Sequence, residues 1–271
     1  MSENEILDVT MEVTKEIAKD VYNDAGKPIA KPAGELLGLV PRAIKAALSP
    51  VEKWVLQKEY NIEETKRLLE QKLEGISPDL IESPDPHIAV PALQYISYCM
   101  NNEDLRDMYA NLLANSMNKV VKKGVHPGFV EIIKQLSPDE ARLLKQFKIE
   151  TIVPTITIRM ENEECYGITS VKNFTNIGEK ANCEQKIDLN NYFDNLIRLG
   201  LLEKAETFSS LKPGEYDTLK HHPYIVSKIS KMDLSKTEYK TIDYIDSYIA
   251  ITDFGKAFCE ICISNDMYID S

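Results

Sequence analysis

The run LRDMYANLLANSMNKVVKKGVHPGFVEIIKQLSPDEARLL, from Leu105 to Leu144, restricts the fold more than any other part of the chain. Leu105, Met108, Tyr109, Leu112, Leu113, Ser116, Met117 and Val120 recur with a period near 3.6, the mark of a helix with one buried face. The Lys-Lys-Gly at 122–124 predicts its end, with cations in the last turn and Gly124 as the stop. His126 and Pro127 then open a second helix, whose apolar face is Phe129, Ile132, Ile133 and Leu136. Ser137-Pro138-Asp139-Glu140 starts a third, with Ser137 as cap, Pro138 as first helical residue and Glu140 three places after the cap. Beyond Lys148 the period changes: IVPTITIRM at 152–160 alternates and predicts a strand. A helical half therefore meets a mixed half near residue 137.

The flanking segments extend this division. Ile6, Val9, Val13, Ile17 and Val21 form one stripe of an acidic helix over 3–24. A block rich in Ala, Gly, Leu and Pro follows, and Pro41 opens a helix running to Leu48. Residues 61–74 predict a helix capped at Asn61, with Glu64 at capping-box spacing, Leu68, Leu69 and Leu73 inside and Gly75 as the stop. Three prolines in SPDLIESPDP (77–86) make a rigid linker. Ile88–Met100 is an apolar helix, and Asn101 or Asn102 caps the next. After the first strand, 161–185 is polar with no convincing helix. A helix over 186–204 is capped at Asp188, ended by Gly200, and runs into a short strand. YDTLKHHPYIVSKISKM and YKTIDYIDSYIAI read as two further strands, and Thr252 or Asp253 caps a last helix. The expected fold class is α+β, mostly α, with an N-terminal helical domain followed by a winged-helix-like α+β domain. The divisions are 1–60 (amphipathic helices), 61–136 (helical) and 137–271 (winged-helix-like).

Hydrophobic residues make up 43% of the 271, enough to build a core, and a net charge of −11 disfavours nucleic-acid backbone on average. Five cysteines, and an N-terminus without a basic or apolar leader region, suggest free thiols in a reducing compartment. No apolar run reaches the ~18 residues of a membrane span. The expected location is cytoplasmic, and any membrane contact would be peripheral, at the inner face.

Few residues carry a chemical signature. His126 reads as a helix-start residue, because no Cys, Asp or Glu stands at metal-ligand spacing from it. His221 and His222 are adjacent, so on a strand their rings point to opposite faces and do not share a metal. Cys259-x-x-Cys262 falls well inside a helix and reads as core, since a zinc site needs two more ligands and a redox pair sits at a helix start. No phosphate loop, nucleophile elbow or metalloprotease motif appears. Neither a catalytic residue set nor a metal or cofactor is expected. The second helix of the winged-helix-like part has one cation, Arg198, against Asp188, Asp194 and Glu203, which suits phosphate poorly; Lys220, Lys228, Lys231, Lys236 and Lys240 are scattered beyond it.

The basic block over 27–58 is the strongest binding signal, with six cations (Lys27, Lys31, Arg42, Lys45, Lys53, Lys58) against Glu35 and Glu52. Leu36, Leu37, Val40, Arg42, Ile44, Lys45, Leu48 and Trp54 form a candidate membrane or partner face. The block reads equally as a helical hairpin packed on the rest of the protein.

On LRDMYANLLANSMNK and VHPGFVEIIKQLSPDEARLL the chain resembles the Abi-alpha family, the bacterial abortive-infection alpha proteins. The likeness runs upstream through LIESPDPHIAVPALQYISY and downstream to NLIRLGLLE and AITDFGKAF. HPGFVEIIKQLSPDEA is its specific part. The resemblance implies a bacterial or prophage protein of phage defence, and it carries no established catalytic set. His126, Phe129, Ser137 and Glu140 match the family pattern as helix-boundary and core residues. The expectation is a non-enzymatic interaction or effector protein, with a protein partner or self-association and peripheral contact with anionic membrane. The alternative is a winged-helix nucleic-acid-binding regulator.

Overall fold

A computed structural model describes residues 46, 62–99, 101–164, 166–205, 214–232 and 234–263. The helix expected over 3–24, and the basic block with its face of Leu36, Leu37, Val40, Arg42, Ile44, Lys45, Leu48 and Trp54, lie outside the described residues. The chain divides into two compact units, 1–131 with 264–271, and 132–263.

In the first unit, α1 (Ile62–Lys72) buries Leu68 and Leu69, with Leu73 just beyond it. Gly75 (φ +88°) takes the left-handed conformation that ends the helix without steric cost. α2 (Pro86–Tyr98) begins with Pro86 in its first turn, so the last proline of the linker initiates a helix. In α3 (Glu103–Met117), the Asn102 side chain accepts from Leu105 N–H at 3.0 Å, and every residue from Met108 to Met117 is buried. The helix stops at Met117, one turn before the expected Lys-Lys-Gly end. The linker explains the difference: Ile81 bridges Asn118, and Met117 and Leu80 accept from Glu82 and Lys119 N–H at 2.8 and 3.0 Å. These backbone bonds hold Asn118 extended. Val120, expected on the buried stripe, is therefore 52% exposed, and Lys122–Gly124 forms a separate 3-10 turn. α4 (Gly128–Lys134) follows His126 as expected.

The second unit opens with α5 (Pro138–Ile149), whose capping box is complete. Strands β1 (Ile152–Glu161), β2 (Gly167–Phe174), β3 (Leu202–Ala205) and β4 (Thr241–Ile251) form one antiparallel sheet ordered β2-β1-β4-β3. Ile156 and Ile158 share one face with Val171 and Phe174, packed against Leu219 and Ile225 from two helices, α8 (Glu215–Lys220) and α9 (Pro223–Ser230). On the other face Val153 and Ile249 are fully buried, and the buried hydroxyls of Thr155 and Ser247 bond at 2.7 Å. The class is α+β and mostly α.

Three expectations are corrected here. The segment containing His221-His222 is not a strand but helices α8 and α9. Ile225, Ile229 and Met232 are spaced by four and three, a helical period, and Pro223 sits at a helix start. The polar stretch 161–185 holds β2 and one helical turn, α6 (Ile177–Lys180). The helix expected from 186 is α7 (Asn190–Arg198), capped by Leu189. Asp188 stands before it with φ +61° and accepts from Asn190 Nδ2 at 2.9 Å.

The last helix, α10 (Asp253–Cys262), is placed by an expected cap and an unexpected contact. Thr252 Oγ1 accepts from Gly255 N–H at 2.8 Å and donates to Gly200 O at 2.6 Å. A Cβ on Gly255 would lie 2.1 Å from Leu201 O, so only glycine lets the helix approach this closely.

Candidate functional site

The densest polar cluster of the second unit surrounds the start of α5. Ser137 makes the turn: Glu140 N–H donates to its Oγ at 3.3 Å, and Ser137 N–H donates to Glu140 Oε2 at 2.6 Å. Two of the helix's free donors are thereby satisfied. Glu140 Oε1 accepts from Asn195 Nδ2 on α7 at 2.7 Å, and the same amide reaches Gln135 O at 3.0 Å. The start of α5 is thus tied to a helix more than 50 residues away in sequence.

Asp139, 5% exposed, is the centre of the cluster. Its Oδ1 accepts from Glu184 N–H at 2.8 Å and from Arg142 Nη1 at 2.9 Å; its Oδ2 accepts from Gln185 N–H at 2.9 Å and from the Tyr192 hydroxyl at 3.4 Å. Burial pushes the Asp139 carboxyl up, but the backbone donors of Gln185 and Glu184, together with Arg142, outweigh it and hold the group below its ordinary value. Tyr192 moves the other way: burial first, then the Asp139 carboxylate, raise its phenol. Cys183 Sγ packs 3.6 Å from Asp139 O. Four donors on one carboxylate saturate it. The cluster can lock the 183–192 loop onto α5, and it presents no spare lone pair for a substrate proton.

A second cluster lies on the α8–α9 face of the sheet. Lys220 Nζ pairs with Asp246 Oδ2 at 3.0 Å and lies 5.4 Å above the Tyr244 ring and 5.9 Å above that of Tyr216. The Tyr216 hydroxyl donates to Ser247 O at 3.0 Å. Burial, then Asp246, raise its phenol. Lys220 is therefore an internal clamp between helix and sheet and is committed to that role. None of these partners was legible beforehand, because Lys220 and Asp246 are joined only once helix and strand are in place.

Each singled-out histidine is a helix-end residue. His126 Nδ1 accepts from Gly128 N–H at 3.0 Å, with its ring 5.7 Å from that of Phe129. His221 Nδ1 lies 2.8 Å from Asp217 O, one turn back on α8, and His222 Nδ1 accepts from Tyr224 N–H at 3.2 Å. Cys259 and Cys262 are buried; Cys259 Sγ lies 3.8 Å from Leu144 O. Burial pushes the Cys259 thiol up to about 12 and that of Cys262 well above the ordinary value. Cys165 lies outside the described residues. Among the described residues no three His, Cys, Asp or Glu side chains group as metal ligands, and no helix is long and apolar enough to cross a membrane. On α7, Arg198 Nη2 is held by Asn195 Oδ1 at 2.6 Å and by Gln135 Oε1 at 3.0 Å.

No curated protein matches the chain. A solved structure, that of an uncharacterized protein from the hydrocarbon-degrading marine bacterium Alcanivorax borkumensis SK2, is similar at 16% identity and a TM-score of 0.33, over 50% of this chain and 92% of that one. Residues 57–262 match the family described as Abortive infection alpha. That span includes both helical units of the opening motif and the whole sheet, and on it the chain belongs to the abortive infection alpha family.

Proposed function

We propose that the protein is a non-enzymatic effector of abortive infection that works in the cytoplasm through contact surfaces, with the basic 27–58 block docking on anionic membrane at its inner face or on a protein partner. Family membership supports the setting. The observation that carries the non-enzymatic reading is the saturation of Asp139, whose four donors are all supplied by its own unit. The membrane arm rests on the six cations interleaved with apolar Leu36, Leu37, Val40, Ile44, Leu48 and Trp54. Flotation of the full chain with vesicles of about 30% phosphatidylserine tests it. Binding at low salt should fall away near about 0.5 M salt and weaken in R42E/K45E. No flotation at low salt removes the membrane arm and leaves the partner arm.

A winged-helix regulator is the second reading, favoured by the succession α5, β1, α6, α7, β3, β4 and by the neighbours β1-β4-β3. Arg198, already engaged by Asn195 and Gln135, and the exposed Asp194 on the same helix weigh against phosphate binding there. A shift of random duplex at about 50 mM salt would favour this reading over the first.

A further inference from the structure

We propose that His222 is a proton-sensitive clasp that holds the start of α9 against α6 and β2 and opens when its imidazole takes up a second proton. Nδ1 accepts from Tyr224 N–H at 3.2 Å, which makes the ring the cap of α9. An accepting Nδ1 places the single ring proton on Nε2, and Nε2 lies 3.4 Å from Glu179 Oε2 on α6. The ring also packs 5.0 Å from that of Phe174, the last residue of β2. One neutral imidazole therefore joins three elements.

Protonation changes the first contact. A proton on Nδ1 opposes the Tyr224 N–H donor, and it brings positive charge to the positive end of the helix dipole. Few charges face the ring. From α6 the ionisable group is Glu179. From β2 it is uncharged Phe174. From α9 it is Tyr224, whose ring stacks on Phe174 at 5.5 Å and carries Lys228 Nζ at 5.5 Å. From α8 it is the neighbouring His221, whose Nδ1 is engaged with Asp217 O. Glu179 attracts the imidazolium, but its side chain is 44% exposed, and an exposed pair is worth less than a lost cap. The clasp is complete while the ring is neutral and is lost as pH falls through the imidazole range. Opening frees the helix that covers Ile156, Ile158, Val171 and Phe174, so acidification uncovers an apolar layer of the sheet.

Amide exchange and ring-nitrogen shifts of the full chain, followed by NMR from about pH 7.5 to about pH 5.5, test this. At the upper pH, Nδ1 should show the shift of an unprotonated nitrogen and Nε2 that of a protonated one. The protection factor of the Tyr224 amide should fall about fivefold across the range, the equivalent of one lost cap. H222N, whose amide caps at any pH, should lose this dependence. E179Q removes the charge that favours the imidazolium and should move the midpoint to lower pH. A protonated Nδ1 at the upper pH overturns the clasp, as does a Tyr224 protection factor constant with pH in the unmodified protein.

Discussion

Replacing Asp139 by Asn tests the account of the α5 cluster, because the two side chains differ by one acceptor and one charge. If the Asn oxygen keeps the Glu184 and Arg142 donors, its Nδ2 must face Gln185 N–H, which now donates to Oδ2 at 2.9 Å. Two donors then oppose each other at a site 5% exposed, which costs roughly 1–3 kcal/mol. The surviving bonds also lose their charge assistance. A total of about 2–3 kcal/mol corresponds to a Tm decrease of about 6–10 °C for a unit of this size. The pH dependence supplies a second check. The carboxyl is held below its ordinary value, so its contribution is full above the unfolded-state value and is lost as pH falls through the folded-state value. The gap between D139N and the unmodified protein should therefore be widest near pH 7 and close below about pH 4. Thermal unfolding followed by circular dichroism at a series of pH values measures both effects. A Tm within about 2 °C of the unmodified protein at pH 7, or a gap that persists unchanged into acid, would refute the reasoning.

Two further outcomes follow from close packing. G255A places a methyl 2.1 Å from Leu201 O and 2.8 Å from Ile251 Cγ1. α10 must move, at about 1–3 kcal/mol, which outweighs the helix-propensity gain of about 1 kcal/mol; an increase in Tm would contradict this. Cys259, with its thiol pushed up to about 12 by burial, should resist alkylation of the native protein at about pH 8 and react once the chain is unfolded, as followed by peptide mass spectrometry.

How far the sequence could be read depended on the range of the forces involved. The Ser137 capping box, the Asn102 and Thr252 caps, the stops at Gly75 and Gly200, strands β1 and β4, and the core placement of Cys259 and Cys262 all follow from residues within a few positions of one another. The helical period of Ile225, Ile229 and Met232 was present too, but β-branched composition and the paired histidines masked it. The family was legible because its signature is made of such local stops and starts.

What only the tertiary structure decided are the partners. Nothing near Met117 announces that α3 will stop there; Ile81, Leu80 and Glu82, some 35 residues earlier, capture the chain. Asp139 looks like one more first-turn acid until Glu184, Gln185 and Tyr192 close on it. Lys220 looks like a surface cation until Asp246 and two tyrosine rings receive it. Capping and periodicity depend on neighbours along the chain, so the sequence alone determines them. The worth of a buried charge depends on which donors surround it, and folding supplies those from residues far away.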